Sequence, residues 1–317
     1  MSAVASSATA PRRTFGRTFR TVLGGFGVFF LVVFALIETV PFVLTVANSF
    51  KCLPATREAS EAFIPVPPFG IDCRADGVAL TAEQTTEGLT FNPTLEGYQQ
   101  VLEYDFGRWF WNSIIYAVSI TVLRVLFDSL AGYALARLKF AGKRVMFYII
   151  LSTLMIPGIV LLIPRFIILQ QLGLLGTFQG VILVLGADAF GVFLMKQFFE
   201  AIPEEIEEAA MVDGAGRLRM FFQIVLPMAT PALTALTIFS FQGTWNNFMD
   251  VLIIIGKEQD LWNLPLGLSQ LRGQFGDTLE WNTFLAGAVF TTLPMAVLFF
   301  FFQRYFVEGV SYSGLKG

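Results

Sequence analysis

Apolar residues in this chain come in long runs rather than in narrow stripes. A run of about 20 residues crosses roughly 30 Å of hydrocarbon as a helix. The pattern predicts six such spans, at 22–46, 111–135, 145–169, 178–196, 229–255 and 283–302. Strand-like alternation of the barrel type is absent. A backbone in lipid has to satisfy its own polar groups, so the predicted class is an all-α polytopic membrane protein with about six transmembrane helices. Polar stretches at 1–21, 47–110, 200–227, 256–282 and 304–317 separate or flank the spans.

Composition agrees with that pattern. Of 317 residues 55% are hydrophobic, 14% are charged and 35 are Phe, with a mean hydropathy of +0.66. Basic residues set the orientation, because they collect on the cytoplasmic side. Arg12, Arg13, Arg17 and Arg20 precede the first span, and Arg137, Lys139, Lys143 and Arg144 lie between the second and third. The two groups agree if two spans separate them. Residues 1–21 are then a cytoplasmic basic N-terminus and 47–110 an extracytoplasmic loop. Residues 111–317 form the core, with a cytoplasmic loop at 200–227, a tail at 304–317 and both termini cytoplasmic. A cleavable signal peptide is the competing reading of the N-terminus. Its apolar run is too long, and ETVPFVLTVANSF offers no clear small-residue cleavage site.

The chain has no His, the most versatile acid–base group and the commonest metal ligand. It has no Gly-x-Ser-x-Gly elbow, zinc motif or Walker sequence. No catalytic residue, metal site or nucleic-acid partner is expected. Cys52 and Cys73 both fall in the outer loop, where oxidation is possible. A disulfide between them and a pair of free thiols are both open readings.

The polar interruption at 200–227 is unlike a passive connector. Pro203 suits a helix start, and Glu204, Glu205, Glu207 and Glu208 cluster in the first turns, complementing the helix dipole. Gly214 can end that helix in the left-handed conformation. A second helical piece follows, with Leu218, Phe221, Phe222 and Val225 at helical spacing, Arg217 and Arg219 among them, and Pro227 closing it. Ile206, Ala209, Ala210 and Asp213 are predicted to share one side of the first helix, with small alanines that allow a partner close. The rival is an amphipathic connector lying on the headgroups, but four glutamates are repelled by an anionic leaflet.

The spacing E-A-A, three residues, G, nine residues, I-x-L-P is met by Glu208, Ala209, Ala210, Gly214, Ile224, Leu226 and Pro227. It resembles the signature cytoplasmic loop of ATP-binding cassette (ABC) importer permeases. NPTLEGYQQVL with RWFWNSIIYAVSI, AGYALARLKFAGKR, LMIPGIVLLIP and YFVEGVSYSGLKG are similar to the carbohydrate-uptake subgroup. The resemblance covers roughly 90–317, whereas 55–90 looks like an insertion. It implies the ABC importer permease (MetI-like) fold, multi-pass in a bacterial cell membrane. The implied function is the permease subunit of a binding-protein-dependent importer for a sugar, oligosaccharide or related polyol. Implied partners are a second homologous permease, two ATP-binding cassette ATPase subunits and an extracytoplasmic solute-binding protein. ATP and Mg would be used by the ATPase, with no cofactor on this chain. Residues 204–214 would be the coupling helix, with Glu208 making a charge pair or cap at the ATPase cleft and Gly214 keeping the turn tight. The plain alternative gives Glu208 and Gly214 local roles in their own helix.

Polar groups inside spans are the remaining candidates. Trp245 offers an aromatic face for a sugar ring, and Asn246 and Asn247 offer amides for its hydroxyls. The competing reading is that the asparagines knit helices together. Arg124 and Asp128 lie four apart on one helical face and are expected to pair with each other. Arg165 would snorkel outward, and Glu38 and Asp188 have no evident partner. Pro157, Pro164 and Pro294 are expected to kink their helices. The alternative function is an ion-coupled secondary carrier using Glu38 and Asp188. Such carriers commonly carry internal repeats, and none is visible here.

Overall fold

A computed structural model of the chain describes residues 14–50, 95–274 and 281–313. All regular structure among them is helical. In chain order come α1 (Thr14–Ser49), α2 (Glu96–Glu103), α3 (Phe106–Arg137), α4 (Lys143–Thr153) and α5 (Leu162–Gln171). Then follow α6 (Phe178–Leu185), α7 (Ala189–Ala201), α8 (Glu204–Val212) and α9 (Arg217–Met228). The chain closes with α10 (Thr230–Trp245), α11 (Met249–Ile255), α12 (Leu264–Gln274) and α13 (Trp281–Ser313). Three helices are long and apolar enough to span a bilayer, within α1, α3 and α13, and three bent pairs bring the number to as many as six.

The breaks have local causes. Between α4 and α5 the chain bends by 100° at Pro157, whose ring removes a donor and whose preceding residue is steered away from the helical region. Pro164 makes no such kink: it falls in the first turn of α5, where a missing N–H costs little. Pro294 lies inside the uninterrupted α13. Between α6 and α7 the bend is 41°, with Asp188 in extended conformation. Between α9 and α10 it is 81°, at Ala229 between Pro227 and Pro231. The span expected at 229–255 is itself divided at Asn246–Phe248.

Helix α3 is the axis of the molecule. Its 32 residues run about 48 Å at 1.5 Å per residue. Around its first half Trp109, Tyr116 and Ile120 pack with Trp245, Ile254, Trp262 and Leu264. Around its last turns Tyr133 packs with Met195, Phe199, Met220, Phe221 and Leu236. Between these two cores lie buried Thr121, Asp128 and Ser129. Helix α7 crosses α3 closely, because Gly132 and Gly191 leave no room for a side chain: a Cβ at Gly132 would stand 2.8 Å from Met195 Cβ. Small residues serve this purpose wherever helices meet in lipid.

Segment 256–282, a polar stretch between spans in the sequence, contains α12. Leu264, Leu266, Leu268 and Leu271 are buried there, and Asn263 starts it by accepting from the Leu266 amide at 3.2 Å. Helix α1 is the opposite case. Residues 26–43 are all exposed; burial begins near the end of the helix, at Ala47 and Ser49, where Ser49 Oγ meets Tyr98 Oη at 2.7 Å.

Candidate functional site

The mount of α8 is electrostatic. Pro203 occupies the N-cap, and Glu204, Glu205 and Glu207 fill the first turn, where negative charge meets the positive helix end. Glu207 turns inward and is 5% exposed. Its Oε1 stands 2.8 Å from Arg137 Nε, off the line of a straight hydrogen bond. Its Oε2 accepts from the Tyr133 hydroxyl at 3.1 Å. Arg137 also donates to the Ile202 carbonyl at the end of α7 and stands 3.4 Å from Glu204 Oε1. A planar guanidinium fork can serve several acceptors at once. The last turns of α3 therefore hold the end of α7 and the start of α8 together.

This mount divides the face expected for Ile206, Ala209, Ala210 and Asp213. Ala210 is buried and Ile206 half-buried against the second core. Glu207, one residue on from Ile206 and three before Ala210, turns to the same side. The outward face is instead Glu205, Glu208, Ala209, Val212 and Asp213, with Val212 88% exposed. The helix ends as expected at Gly214, φ +79°. The Gly214 amide donates to Met211 O at 3.1 Å and the Ala215 amide to Ala210 O at 2.9 Å, the paired bonds of a Schellman cap. A Cβ at Gly214 would meet nothing, so glycine is required only by the backbone.

In α9, Met220, Phe221 and Val225 are buried while Leu218 and Phe222 are exposed. Ile224 and Leu226 are half-buried and Pro227 is exposed. Residues Phe221–Val225 form a π-turn in which the Leu226 amide reaches Phe221 O. Pro227 can donate nothing there, which is how the wider turn is tolerated. Ile224, Leu226 and Pro227 thus build the corner from α9 into α10.

The mid-length charges on α3 do not pair with each other. Arg124 Nε donates to the Leu185 carbonyl at 2.7 Å, and Asp128 Oδ1 accepts from the Asp188 amide at 3.0 Å. One turn of α3 therefore caps both ends of the α6–α7 break: the cation sits on the carbonyl end of α6 and the anion on the amide end of α7, each at its favourable pole. The expected pairing gives way because the orphan backbone groups of a broken span demand partners that a regular helix does not. Asp188 thus acts through its main chain, and Glu38 is exposed on α1.

The cargo-path candidates separate. Trp245 is 1% exposed, stacked on Phe241 at 5.7 Å and edge-on to Phe110 at 5.9 Å. Its indole N–H donates to Thr291 O at 3.1 Å, so it offers no open face to a sugar. Asn247 is also committed. Its Nδ2 donates to Asp250 Oδ2 at 2.9 Å, its Oδ1 accepts from the Asp250 amide at 3.2 Å, and its carbonyl accepts from Asn263 Nδ2 at 2.6 Å. Arg165 does not snorkel freely but pairs with Asp250 at 2.6 Å. Of the three, only Asn246 is exposed. Cys52 and Cys73 lie outside the described residues.

Comparison with known proteins bears on what such a mounted loop serves. The family of the binding-protein-dependent transport system inner membrane component matches residues 128–312. The arabinooligosaccharides transport system permease protein AraQ of Halalkalibacterium halodurans is 38% identical over 67% of this chain and 75% of its own length. The diacetylchitobiose uptake system permease protein NgcG of Streptomyces coelicolor is 36% identical over 65% and 69%. The sn-glycerol-3-phosphate transport system permease protein UgpE of Yersinia pestis is 34% identical over 65% and 73%. A solved bacterial ABC transporter involved in import of the acidic polysaccharide alginate shares the fold, with a TM-score of 0.72 and 23% identity over 94% of this chain and 100% of the matched chain. The match spans α3 from Asp128, the Arg137 mount, α8 with its glycine cap and the helices beyond. Nothing in these relatives supports an ion-coupled carrier; the chain belongs to the inner membrane components of binding-protein-dependent transport systems.

Proposed function

We propose that this chain is one of two membrane subunits of an ATP-driven importer for a sugar, oligosaccharide or related polyol, working in a bacterial cell membrane with both termini cytoplasmic. It would pair with a second homologous permease, take cargo from an extracytoplasmic solute-binding protein, and dock one ATPase through the 204–227 loop. ATP and Mg belong to that ATPase. The observation that carries the reading is the way α8 is presented. Its inner side is fixed by Arg137 and Tyr133 on Glu207, and its outer side offers Glu205, Glu208 and Val212. A rigid mount under an exposed acidic and apolar helix passes a push from a partner into α3 and α7 instead of dissipating it in a loose loop. The cargo class rests on the names of relatives such as AraQ and NgcG.

The test is co-purification of the ATPase with the tagged chain, expressed with its genomic neighbours. The wild type should retain a stoichiometric ATPase whose hydrolysis is stimulated by cargo-loaded binding protein, and Glu208→Ala and Gly214→Pro should lose it. Uptake that follows an ion gradient with no ATPase bound would overturn the reading.

A further inference from the structure

We propose that the corner joining α3 to α4, residues 138–149, binds one anionic phospholipid. The site goes beyond the importer reading and does not depend on it. The corner reads LKFAGKRVMFYI and carries no acid. The preceding Arg137 is held by Glu204, Glu207 and the Ile202 carbonyl, and half-buried Lys143 donates to Ala136 O at 2.9 Å. Lys139 and Arg144 are exposed, and neither has an ion pair or hydrogen bond among the described residues. The corner therefore turns positive charge outward.

Helix α4 carries the rest of the site. None of its residues is buried. One side, with Lys143, Phe147, Ile150 and Leu151, is half-buried. Phe147 stacks on Phe193 of α7 at 6.5 Å and lies beneath the Lys196 ammonium at 4.2 Å. Glu200, the one acid in the sequence of α7, is held by that same Lys196 at 2.7 Å. The opposite side of α4 presents Arg144, Val145, Tyr148 and Ile149, spaced i, i+1, i+4 and i+5 and all exposed. Going into the span, this stripe runs from a cation to a phenol to aliphatic carbons.

A phospholipid has the same order along its length: phosphate, then ester groups, then acyl chain. Tyrosine suits the middle of it, with an apolar ring and a polar tip. Phe140, exposed next to Lys139 in the chain, adds apolar surface at the corner. Charge selects the occupant. A protein face would have to bring carboxylates here and strip them of water. A zwitterionic lipid carries its own cation and leaves the two basic residues short of negative charge. An anionic lipid meets them with its phosphate while its chain covers Val145 and Ile149. Each basic residue near an anionic lipid surface strengthens binding about fivefold.

Native mass spectrometry tests this on the chain purified in detergent with the subunits that accompany it. Phosphatidylglycerol is titrated against phosphatidylcholine of the same acyl chains. The wild type should hold one phosphatidylglycerol about tenfold or more tighter than phosphatidylcholine, as two cations at about fivefold each require. The double variant Lys139→Gln with Arg144→Gln should weaken that lipid about 25-fold and leave phosphatidylcholine unchanged. Both residues are exposed, so the unfolding midpoint should stay near wild type. Lys139→Arg with Arg144→Lys keeps both charges and should keep the lipid. Lys257→Gln removes an exposed cation elsewhere and should change nothing. Equal affinity for the two lipids, unchanged affinity in the double variant, or equal weakening by Lys257→Gln would each overturn the proposal. Displacement of the lipid by soluble glycerophosphoglycerol at matching concentration would make the corner a site for free anions instead. Binding by the isolated chain that vanishes in the assembled complex would give the corner to a protein partner.

Discussion

Arg137 ends α3, and its guanidinium is where α3, α7 and α8 meet. A buried ion pair is weak evidence of stability, because desolvation offsets much of the attraction, but removing one partner strands the other. Glu207→Ala should therefore cost about 3–5 kcal/mol, read as a lower midpoint of thermal unfolding in detergent. The double variant Arg137→Leu with Glu207→Leu should recover much of it. Exposed Glu208→Ala should shift stability by no more than about 0.5 kcal/mol while losing the ATPase. If Glu208→Ala unfolds the protein and Glu207→Ala does not, the assignment of inner and outer faces is wrong. Gly214→Ala should cost about 1–2 kcal/mol for an L-residue held left-handed, with Gly214→Asn milder. The loop motif was legible because its signals are local: acids in a first turn, a glycine cap, a closing proline. The inward turn of Glu207 was not, because an acid in a first turn reads as one more dipole partner until Tyr133 and Arg137 are found beneath it. Arg137 was not, since in sequence it counts only as one more positive charge beside a span.

At the scale of elements, broken helices are the recurring device, and each break has its unpaired groups met from elsewhere. Asp128 is wholly buried and accepts from the Asp188 amide. Asp128→Asn keeps an acceptor of the same shape and should leave the unfolding midpoint near wild type. Asp128→Leu orphans that amide and should cost about 1–3 kcal/mol. Gly191→Ala drives a methyl into the Asp128 carboxylate and within 2.8 Å of Leu236 Cδ1, and overpacking of this kind costs about 1–3 kcal/mol. If Asp128→Leu is as stable as Asp128→Asn, the capping role fails. Hydropathy found the long apolar helices within α1, α3 and α13, because length and apolarity are what a bilayer demands. It did not show where spans break: Pro157 breaks one, Pro164 and Pro294 do not, and Asn246–Phe248 divides another without a proline. Nor did it show α12, because a short apolar helix inside a polar segment reads as loop until burial of Leu264 and Leu266 holds it in place.

For the whole molecule, the distribution of exposed apolar surface fits a chain that is not a finished body. Helix α1 and the corner between α4 and α5 bury little, with Met155 84% exposed and Ile159 and Ile163 beside it. Such a surface needs lipid or a second permease to cover it, as the proposed assembly provides. The same assembly fixes an orientation, because α8 has to meet an ATPase where ATP is, and the start of α3 with the loop into α12 then lies on the outer side. Basic Lys139 and Arg144 stand at the α8 end of α3 and acidic Glu258 near its start, where Asp260 meets Arg108, in accord with retention of positive charge inside. All three are exposed, so single cysteines there can be probed after Cys52 and Cys73 are replaced by serine. Glu258→Cys should react with a membrane-impermeant thiol reagent in intact cells. Lys139→Cys and Arg144→Cys should react only once the membrane is permeabilised. Labelling of Arg144→Cys in intact cells would invert the molecule, and α8 could no longer face the compartment that supplies its ATPase. The orientation and the coupling face are thus one claim in two places, and the label at position 144 bears on both.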